Sequence, residues 1–249
     1  MKENRADMTE SEDYRDSHLT RGAVYDQTIF STPLDAYADR WEAHHLERVV
    51  QRLLPVRIPR YLDFACGTGR ITQRVEPFAA ESYGVDISES MLTVARSKCD
   101  KTRFVCVDLT REDPDLGLFD LVTSFRFFGN AQDELRGAAL SAIGRRMRPG
   151  GHLVINNHRN PRSLMALARR IAIGTEEMDL SHRKLESLLR GHGFKIVFRR
   201  AIGFWIIRAK LTSSRWLESP LAAPLERAFR NGSFARYSPD SLLVARKVG

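Results

Sequence analysis

Three aspartates and a glycine turn carry the chemistry that reads most directly from this chain. The stretch YLDFACGTG, Tyr61 to Gly69, is an apolar approach that reaches Asp63 and then runs through Ala65, Cys66, Gly67, Thr68 and Gly69. That pattern predicts a buried strand breaking into a tight turn before a helix. Glycines at 67 and 69 let the backbone come close to a ligand and take conformations that a side chain would forbid. The helix beyond offers unpaired N–H groups to a polar ligand end. About twenty residues past the turn, Asp86 is placed to accept a pair of ribose hydroxyls, as the acid after a second strand does in dinucleotide sites. Asp108, with Leu109 beside it, closes a third apolar run in the same way. Each acid taken alone also suits a strand end that caps the next turn. Three in register point to a nucleoside-bearing ligand.

The elements that would hold these groups follow from patterning. Tyr37, Ala38, Trp41, Val49, Leu53 and Leu54 recur at helical spacing from Asp35 until Pro55 ends the run. After the turn, Ile71–Ala79 predicts a short helix and Ser82–Val85 a strand ending at Asp86. Ser88 is the expected N-cap of a helix through Lys98, with Met91, Leu92 and Ala95 on one face. Thr102–Val107 is a third strand and Phe119–Ser124 a fourth. Asn130 with Asp133 reads as a cap before an apolar stripe of Leu135, Ala139, Ile143 and Met147, stopped by Arg148-Pro149-Gly150-Gly151. A fifth strand, His152–Asn156, precedes a basic-apolar helix near Ser163–Ile173 and a helix from Ser181 to Arg190. Phe194–Arg199 and Ser241–Arg246 close the pattern as strands. Alternation of strands and helices predicts a doubly wound α/β sheet, with ligands at the carboxyl ends of its strands.

Composition narrows the class. A chain of 249 residues can bury one good core. We divide it into an acidic, disordered tail (1–20), an arm and helix (21–57), a core (58–200 and 237–249) and an inserted cap (201–236). The polar start, MKENRADMTESEDYRD, is neither a signal peptide nor a membrane span. The expected location is the cytoplasm. Three cysteines, Cys66, Cys99 and Cys106, form neither a CxxC pair nor a disulfide framework, and no metal site is expected. The net charge of +8 is concentrated toward the C-terminus, which favours anionic partners.

LDFACGTG, GVDIS, CVDLT, FDLVTS and MRPGGHLVI occur in the order and spacing of the motifs of class I S-adenosylmethionine-dependent methyltransferases, across roughly residues 60 to 157. The chain resembles that family. The resemblance implies a Rossmann-like, mostly parallel seven-stranded sheet with helices on both faces and an antiparallel last strand. It also implies S-adenosyl-L-methionine as cofactor. On this reading Asp63 orders the turn and helps hold the donor's ammonium, Asp86 takes the ribose and Asp108 the adenine. Ala65, Cys66, Gly67, Thr68, Gly69, Ile87, Met91, Leu109, Ser124 and Phe125 line the donor. Ala65 stands where many members have glycine, which should narrow the turn without abolishing binding. A dehydrogenase would instead carry GxGxxG, whereas here the small residues 65, 67 and 69 sit at every second position.

Methyl transfer needs alignment, exclusion of water and, for a hydroxyl acceptor, a base. Those groups must stand at the ends of strands four and five. His158 is the candidate base, since imidazole titrates near neutrality. Arg126 is the candidate grip on an anionic substrate. The (D/N)PP(Y/F) signature of amino-methylating nucleic-acid enzymes is absent after strand four. The SFRFFGN and INNHRNP segments resemble those of bacterial methyltransferases that modify sugars, glycolipids or other small metabolites. The leading expectation that this resemblance implies is a small, anionic acceptor, such as a nucleotide-linked or lipid-linked sugar, methylated on a hydroxyl. RNA methylation, a silent donor-binding protein, and peripheral membrane contact through residues 201–236 stand as alternatives. The oligomeric state is not legible.

Overall fold

The computed structural model describes residues 33–53, 57–158, 160–173, 180–202 and 233–249. Helix α1, Pro33–Leu53, begins at a proline, whose missing N–H costs nothing in a first turn. Leu46, Val49 and Val50 follow at helical spacing and are buried against Tyr61, Leu121, Val154 and Val244 of the sheet. Strand β1, Ile58–Phe64, leads through the glycine turn into the single turn α2, Thr72–Val75, and a 3-10 turn at Glu76–Phe78. Next come β2, Ala79–Asp86, α3, Glu89–Arg96, and β3, Thr102–Cys106. Ser88 caps α3 as expected, its hydroxyl accepting from the Met91 N–H at 3.4 Å.

Strand β4, Phe119–Ser124, is followed by α4, Asp133–Arg146, and β5, Met147–Asn157. Two expectations are corrected here. Asn130 does not cap α4: its amide donates to the Arg126 carbonyl at 2.6 Å, closing the turn that leaves β4, and Gln132 takes the cap position, its side chain making no capping hydrogen bond to the helix. Strand β5 starts five residues earlier than the Arg148-Pro149-Gly150-Gly151 punctuation suggested. The bulged pairing of Phe119 with Met147 and of Leu121 with His152 absorbs that segment into the strand, with Gly150 at φ 81°. Helices α5, Leu164–Ile173, and α6, His182–Gly191, precede β6, Phe194–Ile202, and β7, Asp240–Lys247.

All seven strands form one sheet in the order β3-β2-β1-β4-β5-β7-β6. The pairs from β3 to β5 are parallel, whereas β7 runs antiparallel to both β5 and β6. Strand order reverses between β1 and β4, so helices leave these neighbours on opposite faces and a crevice opens beyond their carboxyl ends. Phe119, Phe128, Leu140, Ile143 and Leu243 fill the other face. The expected tail (1–20) lies outside the described residues, as do residues 203–232 of the expected cap (201–236); of its ends, residues 201–202 belong to β6 and 233–236 to a 3-10 turn. No helix among the described residues is long and apolar enough to cross a membrane.

Candidate functional site

The turn after β1 is built on left-handed backbone. Ala65, Gly67 and Gly69 have φ of 54°, 53° and 75°. Ala65 thus keeps the conformation that a glycine would take, at a strain of about 1 kcal/mol. The two glycines have separate reasons. A Cβ on Gly69 would stand 3.0 Å from the Ala95 Cβ and 3.2 Å from its Cα, so α3 packs directly on that residue. A Cβ on Gly67 would meet nothing within 4 Å and would project into open space.

Asp86, at the end of β2, ties the turn down. One carboxylate oxygen accepts from the Gly67 N–H at 2.8 Å and the other from the Ser88 N–H at 3.0 Å. A carboxylate oxygen can accept more than one hydrogen bond, and Asp86 lines the crevice. Asp63 is buried and accepts from Thr72 Oγ1 at 2.6 Å and Thr123 Oγ1 at 2.7 Å. Burial pushes its carboxyl up to about 6, against the lowering effect of those hydroxyls and of Arg70. Asp108 Oδ1 accepts from the backbone and hydroxyl of Thr110 at 2.9 and 2.5 Å, so it caps its own turn as well as facing the crevice.

Two adjoining hollows result. The larger holds roughly 700 Å³ of open space and is lined by Ala65, Gly67, Asp86, Ile87, Met91, Asp108, Leu109 and Phe125, all named from sequence. Phe64, Val85, Val107, Thr110, Phe127 and Leu135 also line it and were missed. Val85 and Val107 immediately precede Asp86 and Asp108, a signal that reading only the acids passes over. Phe64 meets Phe127 edge to face at 5.4 Å between ring centroids, forming part of the apolar wall. The smaller hollow gathers Asp63, Ala65, Cys66, Gly67, Thr68, Phe125 and Arg126, together with Arg70 and Ile71. Burial raises the Cys66 thiol well above its usual range, so it lines the site as a neutral group.

Gly69, Ser124 and His158 line neither hollow. Gly69 serves packing. Ser124 is fully buried at the end of β4, and its hydroxyl has no hydrogen-bond partner among the described residues. His158 lies just past β5 with its ring against Gly129, 3.0 Å from where a Cβ on that glycine would stand.

The loop after β4 is held firmly. Arg126 has a φ of 59°, and its N–H donates to Asn156 Oδ1 at 2.6 Å. Arg136, almost wholly buried, donates to the Phe128 carbonyl at 2.8 Å. Asn156 in turn donates to Glu42 of α1 at 2.5 Å, and Glu42 accepts from Arg70 at 3.2 Å. Arg70 also pairs with Asp39, which Arg74 contacts at 2.5 Å. Burial alone would raise the Asp39 carboxyl, but the two arginines outweigh it and hold the group below the usual range. This buried network links α1, the glycine turn and the Arg126 loop, and nothing in the local sequence announced it.

An oxygen acceptor pair at Asp86, a capped acid at Asp108, apolar walls between them and open space over Gly67 suit a nucleoside with a charged tail. Comparison with known proteins agrees. Residues 62–151 match the methyltransferase domain family. The chain is 29% identical over 165 residues to a ubiquinone biosynthesis O-methyltransferase of Alkalilimnicola ehrlichii, covering 59% of this chain and 65% of that protein. It is 34% identical over 129 residues to a demethylmenaquinone methyltransferase of Tropheryma whipplei, covering 49% and 52%. The chain thus spans between half and two thirds of the length of these relatives. Its fold resembles that of a magnesium protoporphyrin IX methyltransferase from Synechocystis with bound S-adenosylhomocysteine, with a TM-score of 0.61 at 16% identity over 94% of this chain and 97% of that one. An N-methyltransferase from Bradyrhizobium japonicum in complex with the same product gives a TM-score of 0.56 at 15% identity, covering 84% and 87%. Fold, turn and family match together identify residues 62–151 as a methyltransferase domain, set in the sheet order of the class I, S-adenosylmethionine-dependent type.

Proposed function

We propose that this protein transfers the methyl group of S-adenosylmethionine to a hydroxyl of a small, anionic acceptor. The observation that carries the reading is the alignment of Gly67, Asp86 and Asp108 along one cleft with an apolar wall. The residues fit the donor. Asp86 has acceptor capacity for two ribose hydroxyls while its bonds to Gly67 and Ser88 keep it fixed. Asp108 and Leu109 suit the adenine edge and face. The smaller hollow has an acid and a base for the amino-acid end, Asp63 toward the ammonium and Arg126 toward the carboxylate. That use of Arg126 replaces the acceptor grip expected from its sequence position.

When bound, the donor supplies a methyl on a positively charged sulfur, already activated for displacement. The chain must then align the acceptor oxygen, exclude water and remove a proton. Phe125 and Phe127 favour a dry cleft. His158, beyond β5 and packed on the loop that carries Arg126, is our proposed proton acceptor. Calorimetric titration with S-adenosylmethionine and S-adenosylhomocysteine tests the donor assignment: saturable binding of both is expected, and binding of neither overturns it. A normal turnover rate for His158→Gln on an identified acceptor would remove the histidine from the mechanism.

A further inference from the structure

A third hollow, separate in its lining from the two described above, lies beside the end of β5. It encloses roughly 420 Å³ of open space between the Asn160 turn, the first residues of α6 and the turn before β7. Arg162, Arg183 and Arg236 line it, and none of the described residues lining it is acidic. All three arginines are exposed. The Arg236 guanidinium lies 4.8 Å from the Tyr237 ring centroid, which holds a planar cation over an aromatic face.

The framework beneath these arginines is rigid. Asn160 is completely buried, and its amide donates to the carbonyls of Arg236 at 3.0 Å and Ser238 at 2.9 Å. Its Oδ1 accepts from the Arg162 N–H at 3.1 Å. One asparagine therefore fixes the backbone of two of the arginines. The third, Arg183, stands in the first turn of α6, where Ser181 caps the helix by accepting from Lys184. His182 is locked between Ser238, Asn157 and Ser241. The helix start adds N–H groups and a positive dipole end to the guanidinium charge.

We propose that this hollow binds a phosphate or diphosphate group of the methyl acceptor. Three guanidinium groups on a fixed frame, with no carboxylate among them, match a multiply charged oxyanion better than a single carboxylate. The hollow adjoins the strand end that carries His158, two residues before Asn160, so an acceptor anchored here would extend toward the loops beyond β4 and β5. The inference rests on the methyl-transfer reading only for naming the acceptor; anion binding is measurable without it.

The test is calorimetry with inorganic pyrophosphate as probe, on the wild type, on the double variant Arg183→Glu/Arg236→Glu, and on Arg103→Glu, which reverses an exposed charge on β3. Saturable pyrophosphate binding that weakens about tenfold or more in the double variant and stays within about twofold in Arg103→Glu supports the site. S-adenosylhomocysteine affinity should be unchanged in all three. Absence of saturable pyrophosphate binding, or equal weakening by Arg103→Glu, overturns the proposal while leaving the donor site untouched. Displacement of pyrophosphate by a single-stranded RNA oligonucleotide at far lower concentration, with a steep salt dependence, would also overturn it by making the surface a nucleic-acid track.

Discussion

The two glycines of the turn allow the donor's space to be separated experimentally from the fold's. Replacing Gly67 by alanine puts a side chain on a backbone with φ 53° but into open space. The left-handed strain costs about 1–2 kcal/mol, partly offset by about 0.4–1 kcal/mol through a stiffer unfolded chain. The net loss of stability should be about 1 kcal/mol. Replacing Gly69 carries the same strain at φ 75° and also drives a methyl against Ala95, where one close contact is the α3 backbone itself. Overpacking of that kind adds about 1–3 kcal/mol, giving a total of about 2–4 kcal/mol. Ligand affinity should divide the other way. Gly67 lines both hollows, the one that holds Asp86 and the one that holds Arg126, so a methyl there takes donor space, and intrusion costing about 1–3 kcal/mol corresponds to about 5- to 150-fold weaker S-adenosylhomocysteine binding. For Gly69→Ala, the folded fraction should bind within about threefold of the wild type, since the added group points at α3. Urea unfolding gives the stability changes and calorimetry gives the affinities. Unchanged affinity in Gly67→Ala would refute the reasoning, because the open space above that residue would then not be the donor's.

Further outcomes follow from individual contacts. Asp86→Ala removes the acceptor for two backbone N–H groups as well as for the ribose, so S-adenosylhomocysteine binding should weaken by about tenfold or more, read by calorimetry. Asp63 has a carboxyl raised by burial to about 6, so its anion, the form that attracts an ammonium, is lost as pH falls through that value. Donor affinity should therefore drop below about pH 6 in the wild type, and this acid limb should be missing in Asp63→Asn. Burial lowers His182 to about 4. The unfolded chain then binds the proton first, and this residue's contribution to stability falls as pH drops from about 6.5 toward 4; His182→Gln should flatten that limb in pH-dependent urea melts. Asn156→Ala leaves Glu42 without its buried amide donor and the Arg126 backbone N–H without its side-chain acceptor. A stability loss of about 2–4 kcal/mol is expected, along with weaker donor binding, because the Arg126 loop and the glycine turn share that network.

The cleft that we assign to the donor was legible because its information is local and repeated. Asp63, Asp86 and Asp108 each close an apolar run, so one pattern read three times fixed both the strands and the acids at their ends. The antiparallel β7 came with the family resemblance rather than from spacing, since a period of two does not encode direction. Asn130 misled because Asn-x-x-Asp suits a helix cap, yet Arg126 at φ 59° leaves a carbonyl that the Asn130 amide satisfies instead. Such competition between a cap and a turn is decided by the preceding backbone, which the pattern does not contain.

The network around Asn156 and the arginine hollow that we propose for the acceptor were opaque for a different reason: their contacts are paired over long distances. Glu42 and Asn156 are 114 residues apart and meet only because α1 packs on the sheet face, where its Glu42 reaches Asn156 near the end of β5. Asn160 binds the carbonyl of Arg236, 76 residues away, through an amide with no periodic signature. In both cases a buried asparagine joins two segments and thereby sets where an arginine stands. An arginine read alone in sequence is a solvated charge; its meaning depends on the residue that fixes its backbone. Arg126 illustrates the point: its sequence position near strand four suggested the acceptor, whereas its hydrogen bond to Asn156 and its place in the hollow that Gly67 also lines underlie our proposal that it serves the donor's amino-acid end. Selectivity for the acceptor should accordingly change more on altering Arg183 or Arg236 than on altering Arg126, whose loss should weaken donor binding for every acceptor alike.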